Sequence, residues 1–161
     1  MEEPVRKALF ILALIGVVGV NGAQARDTEY SLSIAEVMAD GEARNKLGND
    51  VTFYFSGQAT PPVVKSFGEF VTNRKTNSFG KPDVAACRWA MLSALIQLRD
   101  RAKELGGNAV INVVSYYKKN TTQSSTDYVC HAGAIVAGVA LKGTVALIGT
   151  GAPPAARQNK R

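Results

Sequence analysis

Two cysteines and one histidine are the residues of this chain whose types could support chemistry. Cys87 and Cys130 are its only cysteines, and His131 is its only histidine. One histidine cannot build a multi-histidine zinc site. Neighbouring residues of a strand point to opposite faces, so Cys130 and His131 would be poorly placed to act together as nucleophile and base. We interpret His131 as a structural or exposed residue, with a ligand or catalytic role as the alternative.

The two cysteines favour a disulfide if the chain is exported. In an oxidising compartment a single pair of cysteines is expected to be bonded. Closing the loop between them would stabilise the fold by about 4 kcal/mol on the chain-entropy argument. We predict a bridge between Cys87 and Cys130 that holds a long helix to a sheet. The alternative is two free, buried thiols that pack as small apolar residues.

Two common catalytic signatures are absent from the sequence. It contains neither a Gly-x-x-x-x-Gly-Lys-Ser/Thr phosphate loop nor a Gly-x-Ser-x-Gly nucleophile motif. Asp83, Asp100 and Glu104 are widely spaced and mixed with basic residues, which indicates a solvated helix face rather than paired catalytic carboxylates. We therefore predict a protein that is not an enzyme and that has no cofactor and no metal site.

The first 25 residues have the pattern of a cleaved export signal. Arg6-Lys7 precedes an apolar run, Ala8–Val20, and Ala23-Gln24-Ala25 provides the small residues of a signal peptidase site. Spanning a bilayer takes about 20 apolar residues, so we favour cleavage after Ala25 over a membrane anchor. This prediction places the protein in the periplasm.

The charge pattern limits the kinds of partner. The formal net charge is +6, but the basic residues are scattered. A nucleic-acid interface would show a clustered basic stripe with aromatic residues, so we predict no nucleic-acid binding. Weak association with an acidic membrane surface is one interpretation of the charge, and a solvated surface is another. The predicted partner is an unknown envelope protein, and a homo-oligomer is possible.

A long helix followed by a strand organises the chain. Asp83 starts the helix as a cap for its first amide groups, and Gly106-Gly107 ends it. Ala109–Tyr117, rich in β-branched and aromatic residues, is predicted as a strand. The helix has apolar residues at intervals of three and four, which predicts one buried face: Cys87, Met91, Ala94, Leu95, Leu98, Ala102 and Leu105.

The rest of the chain predicts a small α+β domain. Asp27–Leu47 is interpreted as a leading helix, since Ser33 and Glu36 have the spacing of a capping box. Lys118–Thr126 is predicted as the loop of a hairpin that pairs the Cys130 strand with Ala109–Tyr117. Asn73–Lys81 is predicted as a polar loop. The further predicted strands are Val51–Phe55, Val63–Thr72 broken at Gly68, Asp127–Ala140 and Thr144–Ile148.

The predicted fold class is α+β: a single small domain with one long helix packed on a mixed or antiparallel sheet of about four to five strands, preceded by a short helix. The predicted organisation has four parts. These are a signal peptide (1–25), a leading helical segment (26–49), the α+β domain (50–149) and a disordered basic tail (150–161).

Several motifs resemble the YbjQ/RcsF group of small domains. In that group a helix likewise ends in a Leu-Gly-x-Asn/Asp-Ala-Val turn into a strand, as in Arg101–Ile111. Tyr128–Ala134 and Lys142-Gly143-Thr144 are similar to a later strand of the group, and Ser66–Val71 is similar to its Leu-Gly-Glu-Val strand. Lys46–Phe55 resembles exported members often labelled as an excinuclease ATPase subunit, a label without chemical support where no phosphate loop is present.

The resemblance implies a compact α+β domain with its long helix on the sheet. RcsF-like members are lipid-anchored stress sensors of the outer membrane with two disulfides, and Cys130 matches one of their strand cysteines. This chain has no lipidation cysteine and only two cysteines, so stress signalling is not carried over. YbjQ-like members resemble a predicted metal-binding family, but a single histidine transfers no ligand set. We expect an interaction or envelope-homeostasis domain, with a small-ligand or metal-binding module as the alternative.

Overall fold

The long helix predicted at the centre of the chain packs on one face of a mixed sheet. The structure is a computed structural model, and it describes residues 26–149. The predicted export signal (1–25) and basic tail (150–161) lie outside the described residues. In chain order the elements are β1 (Thr28–Ser33), α1 (Ile34–Ala39), α2 (Gly41–Leu47), β2 (Thr52–Phe55), β3 (Val63–Asn77), α3 (Asp83–Leu105), β4 (Ala109–Ser115), a short 3₁₀ helix (Tyr117–Lys119), β5 (Asp127–Ala132) and β6 (Val136–Ile148).

This architecture confirms the predicted α+β class with one long helix on a mixed sheet. The strand order is β1-β5-β6-β4-β2, and β3 pairs with β6 outside that path, so the sheet has six strands. The strand β6 is its centre: β3 pairs along one edge, while β5 and then β4 pair along the other. β2 is parallel to β4 and the other pairs are antiparallel. Because one strand pairs with three others, the sheet curls around the helix.

The helix α3 has the predicted buried face, except that Leu105 at its end is only half-buried. It ends as expected at Gly106, whose φ of 77° is the left-handed conformation that glycine adopts without strain. Thr72 of β3 donates a hydrogen bond from its hydroxyl to the Gln97 side chain of α3. The fully buried residues that α3 packs against the inner sheet face are Cys87, Ala90, Met91, Ala94, Leu95, Leu98 and Ala102.

The start of α3 differs from the prediction. Pro82 occupies the N-cap position, and Asp83 makes no capping hydrogen bond. The Asp83 carboxylate instead accepts from the Tyr30 hydroxyl at 2.8 Å and from the Arg26 guanidinium at 2.8 and 2.9 Å. The capping prediction is therefore wrong because two side chains from the β1 end of the chain compete successfully for this carboxylate.

The prediction of a single leading helix over Asp27–Leu47 is also wrong. Thr28–Ser33 forms β1, which pairs antiparallel with β5. Its alternating Tyr30 and Leu32 pack against the core, as a strand with one buried side requires. Ser33 does accept from the Glu36 amide, at 3.4 Å, but the Glu36 carboxylate binds Arg88 instead of completing the capping box.

Strand boundaries differ in three other places. β3 runs on through Asn77, so the first part of the predicted Asn73–Lys81 loop is strand, although the predicted break at Gly68 is present as a register shift. The predicted strand Asp127–Ala140 is divided by a turn that the Gly133 amide closes on the Val136 carbonyl. β6 then continues to Ile148 without the predicted interruption.

The predicted hairpin between β4 and β5 is not formed. β5 pairs with β1 and β6, and β6 lies between β5 and β4. The pairing is non-local because β1 precedes β5 by about a hundred residues, and no local turn signal in the sequence indicates it.

None of the helices in residues 26–149 is long and apolar enough to cross a membrane.

Candidate functional site

The two predicted site residues, Cys87 and Cys130, form a disulfide. Their Cα atoms are 5.8 Å apart, within the range that a disulfide needs. Both residues are completely buried. Cys87 lies on the inner face of α3 and Cys130 on the inner face of β5, so the bond holds the helix to the sheet. The predicted pairing is confirmed, although the sheet reaches this geometry through β1–β5 pairing rather than through the predicted β4–β5 hairpin.

His131 lies on the opposite face of β5 from Cys130, as strand geometry predicts. Its ring stacks on Tyr117 with the centroids 3.4 Å apart. Its Nδ1 is 2.9 Å from Asp27 Oδ1. Its buried Nε2 faces a Glu29 carboxylate oxygen at 3.4 Å but makes no hydrogen bond. The histidine is therefore held in one orientation by Tyr117 and by Asp27, which come from two separate parts of the chain.

Hydrogen bonds and nearby charges around His131 change the pKa values of Asp27 and Lys118. The Tyr117 hydroxyl donates to Asp27 Oδ2 at 2.9 Å and is the main cause that lowers the pKa of Asp27, with His131 and Lys118 contributing further. Tyr117 first and Asp27 second raise the pKa of Lys118, whose Nζ lies 4.9 Å from the Tyr117 ring centroid. Lys118 has a φ of 50°, an uncommon conformation for a lysine, so the backbone itself is bent to place it here.

Beside this cluster, a groove of about 380 Å³ opens on the sheet face away from α3. We call it the outer groove. Two residues with small side chains, Gly138 and Ala140 of β6, form the floor of the groove. Asn73 and Lys75 of β3 line it along with the stacked pair of Tyr117 and His131. The groove has the size of a small-ligand site, and its charged lining is mainly basic.

The His131 cluster does not form a catalytic constellation. Asp27 and His131 correspond to the orienting pair of a hydrolytic triad, but the Tyr117 hydroxyl already binds Asp27, and within residues 26–149 no serine or threonine hydroxyl is bonded to His131. In the same part of the chain, no group of three or more His, Cys, Asp or Glu residues is placed to hold a metal ion. The cluster can orient a ligand, but it lacks a nucleophile.

A second surface feature lies at the end of the sheet where β3 leaves it. Phe79, in the loop after β3, is 73% exposed, and Ile135, in the turn between β5 and β6, is 61% exposed. Val136 follows Ile135 and is 41% exposed. We call these three residues the apolar tip. The backbones that carry these residues adjoin, and contiguous exposed apolar residues, unlike scattered ones, are candidates for interaction sites.

Backbone hydrogen bonds hold the apolar tip in one shape. The Ser78 amide donates to the Ile135 carbonyl at 3.0 Å and joins the two loops. The Phe79 amide donates to the Asn77 side chain at 2.8 Å, and the Lys81 amide donates to the Ser78 carbonyl at 3.1 Å. The exposed side chains are therefore presented on closed turns, which lowers the entropy that ordering them would cost on binding.

Both features have only weak signals in the sequence. Phe79 is the one large apolar residue in the predicted polar loop Asn73–Lys81, and that isolation was the signal for the tip. Asp27, Tyr117 and His131 are far apart in the chain, and only the pairing of β1 with β5 brings them together. The acids of α3 are not clustered: Asp100 pairs with Arg99 and Glu104 with Arg101, as expected for a solvated face.

Comparison with known proteins does not assign the chain to a family. No protein-family model, no curated protein and no solved structure matches it. The resemblance to the YbjQ/RcsF group therefore stays a prediction from the motifs, and the site has to be interpreted from its own geometry.

Proposed function

We propose that this protein is an exported, non-enzymatic interaction domain of the cell envelope that contacts its partner through the apolar tip. The observation that carries the proposal is the exposure of Phe79 and Ile135 on two loops joined by the hydrogen bond from Ser78 to Ile135. Placing these side chains in water without a partner forgoes about 1.5–3 kcal/mol of burial for each. A partner surface would recover that free energy.

The disulfide supports the location that we propose. A cysteine bridge persists in an oxidising compartment such as the periplasm and is rare in the cytosol. Together with the export pattern of residues 1–25, it favours a periplasmic protein. The motifs shared with the YbjQ/RcsF group are compatible with an envelope role, and we propose the family relationship on those motifs alone.

Site-specific photo-crosslinking in intact cells tests the proposal. A photo-reactive residue replaces Phe79 in one variant and Ile135 in another. The matched control is Val64, which is 67% exposed at the opposite end of β3. We expect covalent adducts, whether to protein or to lipid, from the two tip positions and not from Val64. Equal labelling at Val64, or no adduct from the tip, would contradict the proposal.

A second candidate function is binding of a small anionic ligand in the outer groove. It is favoured by Lys75, which lines the groove and makes no ion pair within residues 26–149, and by His131, whose orientation is fixed. Calorimetric titration with inorganic phosphate and with a dicarboxylate tests it. Lys75→Gln should abolish any binding, whereas Lys65→Gln, at the far end of the same strand, should not change it.

A further inference from the structure

The charges around the apolar tip indicate which surface it contacts. Lys81 lies two residues from Phe79, is exposed, and makes no ion pair within residues 26–149. Lys75, which lies two residues before the end of β3, is exposed and also lacks an ion pair in that part of the chain. The nearest acid after the tip, Asp83, is occupied by Arg26 and Tyr30. The tip is therefore an apolar surface with an uncompensated basic border.

The first residue that the structure describes, Arg26, brings another basic group to the end of the sheet that carries the apolar tip. The Arg26 guanidinium donates to the Gly133 carbonyl at 2.7 Å. The Arg26 carbonyl lies 3.0 Å from where a Cβ of Gly133 would stand. Gly133 is two residues before Ile135, so the chain enters the domain beside the apolar tip.

The predicted processing of the N-terminus adds to the positive charge at this end. If the chain is cleaved after Ala25, the new α-ammonium group of Arg26 adds a positive charge beside the tip. Arg26 contacts Gly133, two residues before Ile135, so this charge would lie close to the tip.

We infer that the apolar tip inserts into the surface of an anionic phospholipid bilayer while Lys75 and Lys81 contact the headgroups. The inference rests on the proposed function and names the partner surface. Phe79 and Ile135 would enter the boundary between headgroups and acyl chains, as the apolar residues of interfacial proteins do. Basic residues close to an anionic leaflet add an attraction that extends only about a Debye length, so orientation by the rigid tip is needed to bring them close.

Vesicle co-sedimentation tests this inference. The protein is purified after any processing in the cell, and mass spectrometry identifies its N-terminal residue. The two probes are vesicles of phosphatidylcholine alone and of phosphatidylcholine mixed with phosphatidylglycerol. We expect binding to the anionic vesicles, little binding to the neutral ones, and loss of binding at high salt. Phe79→Ser and Ile135→Ser should each weaken the partition about tenfold, because each removes one buried apolar side chain.

Matched variants distinguish binding through the apolar tip from non-specific adsorption of the protein to vesicles. Val64→Ser and Lys65→Gln alter an exposed valine and a lysine roughly 40 Å away along β3 and should bind as the unchanged protein does. Lys81→Gln should weaken binding to anionic vesicles only. All these changes are on the surface, and unchanged circular dichroism melting curves would show that each variant folds.

The outcomes distinguish failure of this inference from failure of the proposed function. Absence of vesicle binding, or an equal loss in Val64→Ser, overturns the lipid inference. If photo-crosslinking from Phe79 and Ile135 still gives protein adducts in cells, the tip contacts a protein and the proposed function stands. If neither vesicles nor cellular components contact the tip, both are overturned.

Discussion

At the scale of single residues, the disulfide is expected to contribute several kcal/mol to the stability of the fold. Cys87 and Cys130 are fully buried and are 43 residues apart in sequence. We predict that Cys87→Ser, Cys130→Ser and the double variant each lower the free energy of unfolding by a similar amount, about 4 kcal/mol on the chain-entropy argument. The three losses should be similar because the same single bond is lost in each. Denaturant unfolding followed by circular dichroism measures them.

A chemical control accompanies these variants. A reducing agent should lower the unfolding midpoint of the unchanged protein and leave the midpoints of the three serine variants where they are. A double variant that loses the sum of the two single losses would show that each thiol contributes separately, through packing, and would argue against the bond. Titration of two free thiols in the unfolded, unreduced protein would do the same.

At the scale of elements, Gly106 and Gly107 end α3 for two different physical reasons. Gly106 has a φ of 77° and open space where a Cβ would stand. A Cβ on Gly107 would lie 2.9 Å from the Ala146 carbonyl oxygen of β6, which is backbone and cannot rotate away. The first glycine is needed for its conformation, and the second is needed so that the end of the helix can lie close to the sheet.

Alanine and asparagine at each of these positions should separate the two reasons. At Gly106, asparagine should cost less stability than alanine, since asparagine tolerates the left-handed region better; alanine should cost about 1 kcal/mol. At Gly107 the order should reverse, because asparagine is larger, and overpacking costs roughly 1–3 kcal/mol. Thermal unfolding measures the four variants. The same order at both positions would refute this explanation.

Asp83 connects β1 to α3 and should make that connection sensitive to acid. Hydrogen bonds from Tyr30 and then Arg26 lower the pKa of Asp83 below its ordinary value of 3.8. A carboxyl with a lowered pKa in the folded state stabilises the fold above its unfolded pKa, and this stability is lost as the pH falls through the folded pKa. Asp83→Asn should therefore lower stability near neutral pH and flatten the loss of stability below about pH 4.

The control for this variant is Asp100→Asn, which removes an exposed carboxylate of the same helix that pairs with its neighbour Arg99. Unfolding free energies measured across the acid range compare the two variants. If Asp83→Asn keeps the same acid dependence as the unchanged protein, then Asp83 is not the group responsible.

The elements that the sequence predicted correctly are those whose signals are local. The 23-residue helix α3 repeats its apolar spacing over many turns, so both its limits and its buried face were predictable. β1 was missed because six residues give few repeats, and the capping pair Ser33 and Glu36 favoured a helix. The predicted pairing of β5 with β4 was wrong because the sequence contains no local signal that β1 is the partner of β5. The disulfide was still predicted, although the hairpin used to place Cys130 is absent, since the two cysteines are the only ones in a chain with the pattern of an export signal.

At the scale of the whole molecule, the two faces of the sheet have different roles. The helix α3 covers the inner face, and the disulfide joins α3 to β5 of the sheet. The outer face carries the outer groove, which was not predictable because its lining comes from five separate parts of the chain. The apolar tip lies at the end of the sheet where the chain enters. The core and the proposed contact surfaces are thus built from different residues, so we expect Phe79 and Ile135 variants to keep the fold.

The position of the mature N-terminus is the prediction that belongs to this scale. Cleavage after Ala25 leaves Arg26 and Asp27 in place, and these residues bind Asp83, Gly133, Tyr117 and His131 from four other parts of the fold. Cleavage a few residues later would remove these contacts and begin to shorten β1, which pairs with the disulfide strand β5. Mass spectrometry of the protein from the periplasmic fraction should therefore show an N-terminus at Arg26 or within a residue or two of it. A full-length chain recovered from the cytoplasm would refute export, and with it the oxidising environment in which the bond between Cys87 and Cys130 forms.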